Sequence, residues 1–142
     1  MKKLLIFVVV LSFISCSSEL EILSAKKILI IPGVHSAKQY YKYEIDIHKK
    51  SNKVLTINHI RINNDGVCYQ PEFILVKEQS SKQLTAFSEN GVYKLSVSLL
   101  NTDPLKSDCS IAKNGAAIYF KENDKSKVIT IKAFSEEKKN RR

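Results

Sequence analysis

The sequence predicts an all-β fold, two antiparallel sheets packed face to face. Three observations carry this. Residues 39–48 alternate strictly, with Tyr41, Tyr43, Ile45 and Ile47 set against Lys42, Glu44, Asp46 and His48, which is the period of a half-buried strand. Short β-prone runs recur along the chain, and Asn64-Asp65-Gly66, Asn90-Gly91, Asn114-Gly115 and Asn123-Asp124 punctuate them with residues that tolerate positive φ. Each run is too amphipathic to stand alone and needs a second layer to cover it.

Taken in order, the chain opens with basic Met1-Lys2-Lys3, an apolar stretch over residues 4–11, and Ser12-Phe13-Ile14-Ser15 ahead of Cys16. This is the pattern of an export signal cut before Cys16. A spanning helix needs about twenty apolar residues, and the polar cluster Ser15-Cys16-Ser17-Ser18-Glu19 arrives sooner. The stretch Phe13-Ile14-Ser15-Cys16 resembles the lipobox of bacterial lipoproteins, with Phe13 where the commonest form carries Leu. The resemblance covers the first sixteen residues and implies an acylated Cys16 as the first residue of a mature chain ending at Arg142. Two or more acyl chains anchor stably where one binds only marginally.

Residues 17–27 read as a polar, irregular spacer lifting the domain off the bilayer, too short for an isolated helix. Strands are then expected at 28–31 (stopped by Pro32-Gly33), 39–48, 54–62, 72–76, 84–87, 92–100, 116–121 and 127–134. The single domain spans 28–134, and 135–142 is a charged tail with a basic tip. An immunoglobulin-like sandwich of seven or eight strands is the architecture this favours, without the buried Trp of true immunoglobulin domains, since the chain has no Trp. A small closed barrel is the alternative. A hairpin through Lys50-Ser51-Asn52 is expected to set Ile47 beside Leu55 and Ile45 beside Ile57. Past His59 the apolar phase changes, which calls for two covered faces or a bulge near Asn58.

With Cys16 given to lipid, Cys68 and Cys109 remain, and an even pair in an oxidising compartment is most simply a disulfide. The bridge encloses roughly 40 residues and is worth on the order of 4 kcal/mol. A zinc or redox pair would want close C-x-x-C spacing instead.

Catalytic patterns are thin. There is no G-x-S-x-G, phosphate-cradling glycine loop, H-E-x-x-H or S-x-x-K, and the chain has only four glycines. Glu44 with Asp46, and Glu136 with Glu137, are carboxylate pairs in solvated, lysine-interleaved settings. Of the three histidines, His48 and His59 fall on opposite faces of the expected hairpin and His35 sits in a loop, so no shared metal site is expected. No cofactor and no catalytic residue is assigned. Tyr41 and Tyr43 share the apolar face, and Tyr40 is left as the aromatic with a claim to surface contact.

The formal charge of +9 falls when Lys2 and Lys3 leave with the leader, yet the mature chain stays basic. Export removes nucleic acid as the expected partner, and the lysines are scattered over strand faces and turns, with anionic headgroups as a secondary reading. The expected function is therefore a membrane-anchored envelope lipoprotein, a binding or structural module for an envelope protein, glycan or secreted partner. A tethered inhibitor or immunity protein, using the segment between Cys68 and Cys109, is the alternative, and a small hydrolase is disfavoured. Ser17 after the cysteine favours the outer membrane by resemblance, and Glu19 and Glu21 look like the acidic segment of some surface lipoproteins of Bacteroidota.

Overall fold

The computed structural model describes residues 19–107 and 109–140. Eleven strands occur in the order β1 (Leu20–Ile31), β2 (Tyr40–Lys49), β3 (Leu55–Asn64), β4 (Val67–Tyr69), β5 (Phe73–Lys77), β6 (Gln83–Leu84), β7 (Ala86–Phe87), β8 (Gly91–Ser98), β9 (Ala116–Glu122), β10 (Lys125–Ile131) and β11 (Ser135–Asn140). Among the described residues there is no helix. A six-stranded sheet runs β11-β1-β2-β8-β5-β6, and a second runs β10-β9-β3-β4 with β7 also on β3. All pairs are antiparallel except β1 with β11. The sheets stay open, so the fold is the sandwich and not the closed barrel.

The core lies between the sheets. Tyr43, Ile45 and Ile47 of β2, Leu75 of β5, and Tyr93, Leu95 and Val97 of β8 face Leu55, Ile57, Ile60 and Ile62 of β3, Ala116, Ile118 and Phe120 of β9, and Ile131 of β10. Each large side chain so buried contributes roughly 1.5–3 kcal/mol. The alternation expected for residues 39–48 is the one observed, and Lys49 continues the inward phase. Of the two readings of the phase change, the bulge is the one observed: between Ile57 and His59 the register of β3 against β9 shifts, leaving Asn58 unpaired.

Tight turns sit at the Asn, Asp and Gly positions. Asp65 (φ 52°) and Gly66 (φ 92°) join β3 to β4, and Asn123 (φ 46°) and Asp124 (φ 66°) join β9 to β10. Two successive positive φ values give the turn whose twist matches a two-residue hairpin.

Several expectations are corrected. Residues 20–27 are not a spacer, because β1 reaches back to Leu20 and pairs with β2 from Leu20↔Lys49 to Ile30↔Tyr40. A bulge between Ile22 and Ser24 resets the side-chain phase and hides the alternation in the sequence. The segment 135–140 is not a free tail. It pairs in parallel with β1, Lys26↔Ser135 through Ile31↔Asn140, and edge pairing of backbone needs no apolar side chains. The hairpin of β2 with β3 does not form either: β2 lies between β1 and β8, whereas β3 lies between β9 and β4. Ile47 and Leu55 therefore belong to opposite sheets and satisfy their apolar match across the core. The strand count exceeds seven or eight because β4 and β11 are added and the run expected at 84–87 divides into β6 and β7, which join different sheets.

Candidate functional site

The sandwich presents two outer faces of different chemistry. On the first sheet the polar face of β2 is neutralised by its neighbours. Ser24 donates to Asp46 Oδ2 at 2.8 Å, Lys42 meets Glu44 at 3.4 Å, Lys26 meets Glu137 at 3.3 Å, and His48 Nδ1 lies 3.7 Å from Glu21. Of the carboxylates singled out in the sequence, Asp46 and Glu137 thus have cross-strand partners, Glu44 pairs with Lys42 of its own strand, and Glu136 is exposed on β11. Exposed pairs of this kind are worth little in stability.

On the second sheet, cross-strand pairing sets three rows on the outer face. They are Thr56, Lys121 and Ser126; then His59, Tyr119 and Val128; then Arg61, Ala117 and Thr130. None of these nine positions is a carboxylate. The His59 and Tyr119 rings stack with centroids 4.4 Å apart and planes 21° apart. The Arg61 guanidinium lies 5.8 Å from the Tyr119 ring centre, and its Nε donates to Gln70 Oε1 at 3.3 Å. The bulge at Asn58 builds this site, because strict alternation after inward Ile57 would send His59 into the core.

Beside the stack lies a shallow cleft of about 370 Å³ lined by Asn58, His59, Gln70, Pro71, Glu72 and Phe73. Partial burial, and secondarily the Arg61 charge, hold the His59 imidazole below its ordinary pKa. His59 is therefore biased toward the neutral ring. Together these groups offer a stacking surface, the two cations Arg61 and Lys121, uncharged hydrogen-bonding side chains and, in the cleft, the Glu72 carboxylate.

The disulfide braces the end of this face. Cys68 of β4 is bonded to Cys109, with Cα atoms 5.6 Å apart. The bridging loop is further pinned by Leu105 N to Cys68 O at 2.8 Å and Asn63 Nδ2 to Ile111 O at 2.9 Å.

The opposite end holds an ionic clasp that sequence reasoning missed. Lys49 is fully buried, and its ammonium donates to the Ser51 carbonyl oxygen. Burial pushes its pKa down while the Glu19 and Glu122 charges oppose that shift. Lys53 bridges Glu19 at 3.3 Å and Glu122 at 3.2 Å, and Lys127 reaches Glu122 at 2.5 Å. Hydrogen bonds from Lys127 and then Lys53 hold the Glu122 carboxyl below its usual range. The clasp ties the start of β1 to the β9–β10 hairpin, which makes it a device of structure.

The remaining candidates scatter. Cys16 lies outside the described residues. Tyr40 is half-buried on the outer face of the first sheet opposite Ile30, and Tyr41 packs against the core. His35 is in the exposed loop after β1, and His48 and His59 lie in separate sheets. Among the described residues no group of three His, Cys, Asp or Glu is placed to hold a metal ion. Tyr119, Arg61 and Lys121 drew no attention as a set in the sequence. The available signal was the phase change past His59, together with the alternation of Ala117, Tyr119 and Lys121 against Ile118 and Phe120.

No protein-family model matches the chain, and no curated protein matches it in sequence. Among solved structures it is similar to part of an inactive mutant of the GH20 exo-β-N-acetylglucosaminidase from Vibrio harveyi, at 12% identity and a TM-score of 0.37. The similarity covers 84% of this chain and 18% of that chain.

Proposed function

We propose that the protein is a lipid-anchored module of the bacterial cell envelope that works by binding a partner rather than by catalysis. The observation that carries the reading is the apolar leader closed by Phe13-Ile14-Ser15-Cys16 directly ahead of a disulfide-bridged sandwich. Cys16 acylation supplies the anchor, and Ser17 beside it favours the outer membrane. Because β1 starts at Leu20 and an extended residue spans at most about 3.6 Å, the clasp end stands close to the bilayer and the Cys109 end points away. An envelope protein, a glycan or a secreted molecule is the partner, met by the exposed face of a rigid scaffold. The dispersal of the histidines, the ion pairs of Glu44 and Glu137 and the hydrogen bond of Asp46 with Ser24 support binding over acid–base chemistry.

Mass spectrometry of the native amino terminus tests the anchor, together with fractionation of a Cys16→Ser variant. The expected result is a mature chain beginning at acylated Cys16, found with membranes and released by the substitution. A native chain that still begins at Met1, unacylated, overturns it.

A further inference from the structure

The two outer faces of the sandwich differ in charge balance in a way that marks one of them for a ligand. On the first sheet, Lys26 and Lys42 each have a carboxylate within ion-pair distance, and Lys94 stands across from Asp46 in the register of β2 with β8. On the second sheet, Arg61 and Lys121 point outward with no ion pair among the described residues, and no acidic side chain occupies an outward position of β3, β9 or β10. Between their rows sits the stacked pair His59 and Tyr119. Tyr119 is two residues from Lys121 on β9 and two from Ala117, which pairs with Arg61. Each step is about 7 Å along a strand, so the two cations flank the rings with roughly 14 Å between their rows.

The other outward side chains of these rows are uncharged, and the one carboxylate nearby, Glu72, lies in the adjoining cleft. Thr56, Ser126 and Thr130 carry hydroxyls, and Asn58 and Gln70 bring amides to the adjoining cleft. Val128 is the one exposed large apolar residue of these rows, and the others on the molecule, such as Leu23, Val34, Ile74 and Leu100, are dispersed over other surfaces. A folded protein partner would need a desolvated apolar centre, which this face lacks. A carboxylated sugar chain needs what it has: a ring to stack against, hydroxyl and amide partners, and separated cations. The guanidinium matches a carboxylate as a two-pronged donor.

From this juxtaposition we propose that the outer face of β3, β9 and β10 binds an acidic glycan of the uronic-acid type. A sugar ring packs on Tyr119, and carboxylates are received by Arg61 and Lys121. The proposal rests on the binding-module reading and names its ligand class. Neutral His59 backs the aromatic ring. Gln70, bonded to Arg61, positions the guanidinium at the cleft margin.

The test titrates short oligogalacturonate into the native protein in neutral detergent, followed by NMR, with a neutral galacto-oligosaccharide and an oligoglutamate peptide as parallel probes. Saturable binding of the uronate is expected, with shifts centred on His59, Arg61, Tyr119 and Lys121 and with weakening as salt is raised. Arg61→Gln and Tyr119→Ala should each weaken binding about tenfold, on the scale of a charge-assisted contact or an aromatic stack. Lys121 makes no ion pair or side-chain hydrogen bond among the described residues, so Lys121→Gln should weaken binding severalfold with an unchanged melting curve. The proposal is overturned by no uronate binding, equal binding of the neutral sugar, preference for the acidic peptide, or binding indifferent to the three substitutions. Repeating the titration on the full-length Cys16→Ser chain separates the two claims: glycan binding without native acylation defeats only the anchor, and acylation without glycan binding defeats only the ligand.

Discussion

Breaking the bond between Cys68 and Cys109 should destabilise the domain chiefly through its unfolded state. The two residues are 41 positions apart, and the chain-entropy relation for a loop of that length gives about 4 kcal/mol at 25 °C. The native loop has other fastenings. Leu105 N to Cys68 O at 2.8 Å, Asn63 Nδ2 to Ile111 O at 2.9 Å, Asp65 N to Asn114 Oδ1 at 3.0 Å and the bridge of Tyr69 with Pro104 all survive reduction. The folded state therefore relaxes little, and nearly the whole loss comes from freeing the unfolded chain. For a domain of this size about 4 kcal/mol lowers Tm by between about 10 and 20 °C, a large share of a typical total of 5–15 kcal/mol. The assay is urea unfolding of the oxidised and the dithiothreitol-reduced protein, with Cys16→Ser in both arms and Cys68→Ala/Cys109→Ala as a third. Reduction should also raise the m-value, because an uncrosslinked chain exposes more surface. A loss under about 1 kcal/mol, with the bond shown to be broken, refutes the entropic argument.

Three further outcomes are expected. The Tyr43 hydroxyl is buried without a hydrogen-bond partner among the described residues, so Tyr43→Phe should leave the urea midpoint unchanged or raise it. Burial, and secondarily the neighbouring Tyr41, raise the Tyr43 pKa well above its ordinary value. Its neutral form therefore favours folding below about pH 10, that contribution is lost as pH rises further, and the variant should resist alkaline unfolding better than the parent. Glu122, whose pKa is depressed by Lys127 and Lys53, contributes stability above the ordinary carboxylate pKa and loses it as pH falls through the depressed value. Glu122→Gln should consequently be less stable than the parent at neutral pH, with the gap closing in acid when urea midpoints are compared across pH. Burial is the larger cause of the lowered His59 pKa and Arg61 the smaller, so Arg61→Gln should return it only partway toward its ordinary value in an NMR titration of the imidazole. A return the whole way, or none, contradicts that division.

Much of the architecture was legible in local chemistry. The inward set Tyr43, Ile45 and Ile47 followed from alternation alone, because successive strand side chains must point to opposite faces. Asp65-Gly66 and Asn123-Asp124 announced their turns through tolerance of positive φ, and the phase change past His59 left a bulge near Asn58 as one of two readings. The candidate site was harder to read. His59 pointed inward in the expected hairpin, and its stacking partner Tyr119 lies on β9, far along the chain. The burial of Lys49 was hidden for a similar reason: a lysine at a strand end reads as solvated until Glu19, Ser51 and the β9–β10 hairpin close around it.

The amino-acid sequence by itself determined the all-β class, the faces shown by residues 41–48 of β2, the positions of the tight turns and the pairing of the two domain cysteines. All of these depend on a residue and its near neighbours, or on counting thiols. Only the tertiary structure decided that β2 and β3 belong to opposite sheets, that β1 reaches back to Leu20, and that the charged segment Ser135–Asn140 closes the first sheet as a parallel edge. Backbone hydrogen bonds between strands are chemically alike for every possible pair, so a strand carries no label for its neighbour. The choice falls to the arrangement that buries the inward faces of both sheets at once.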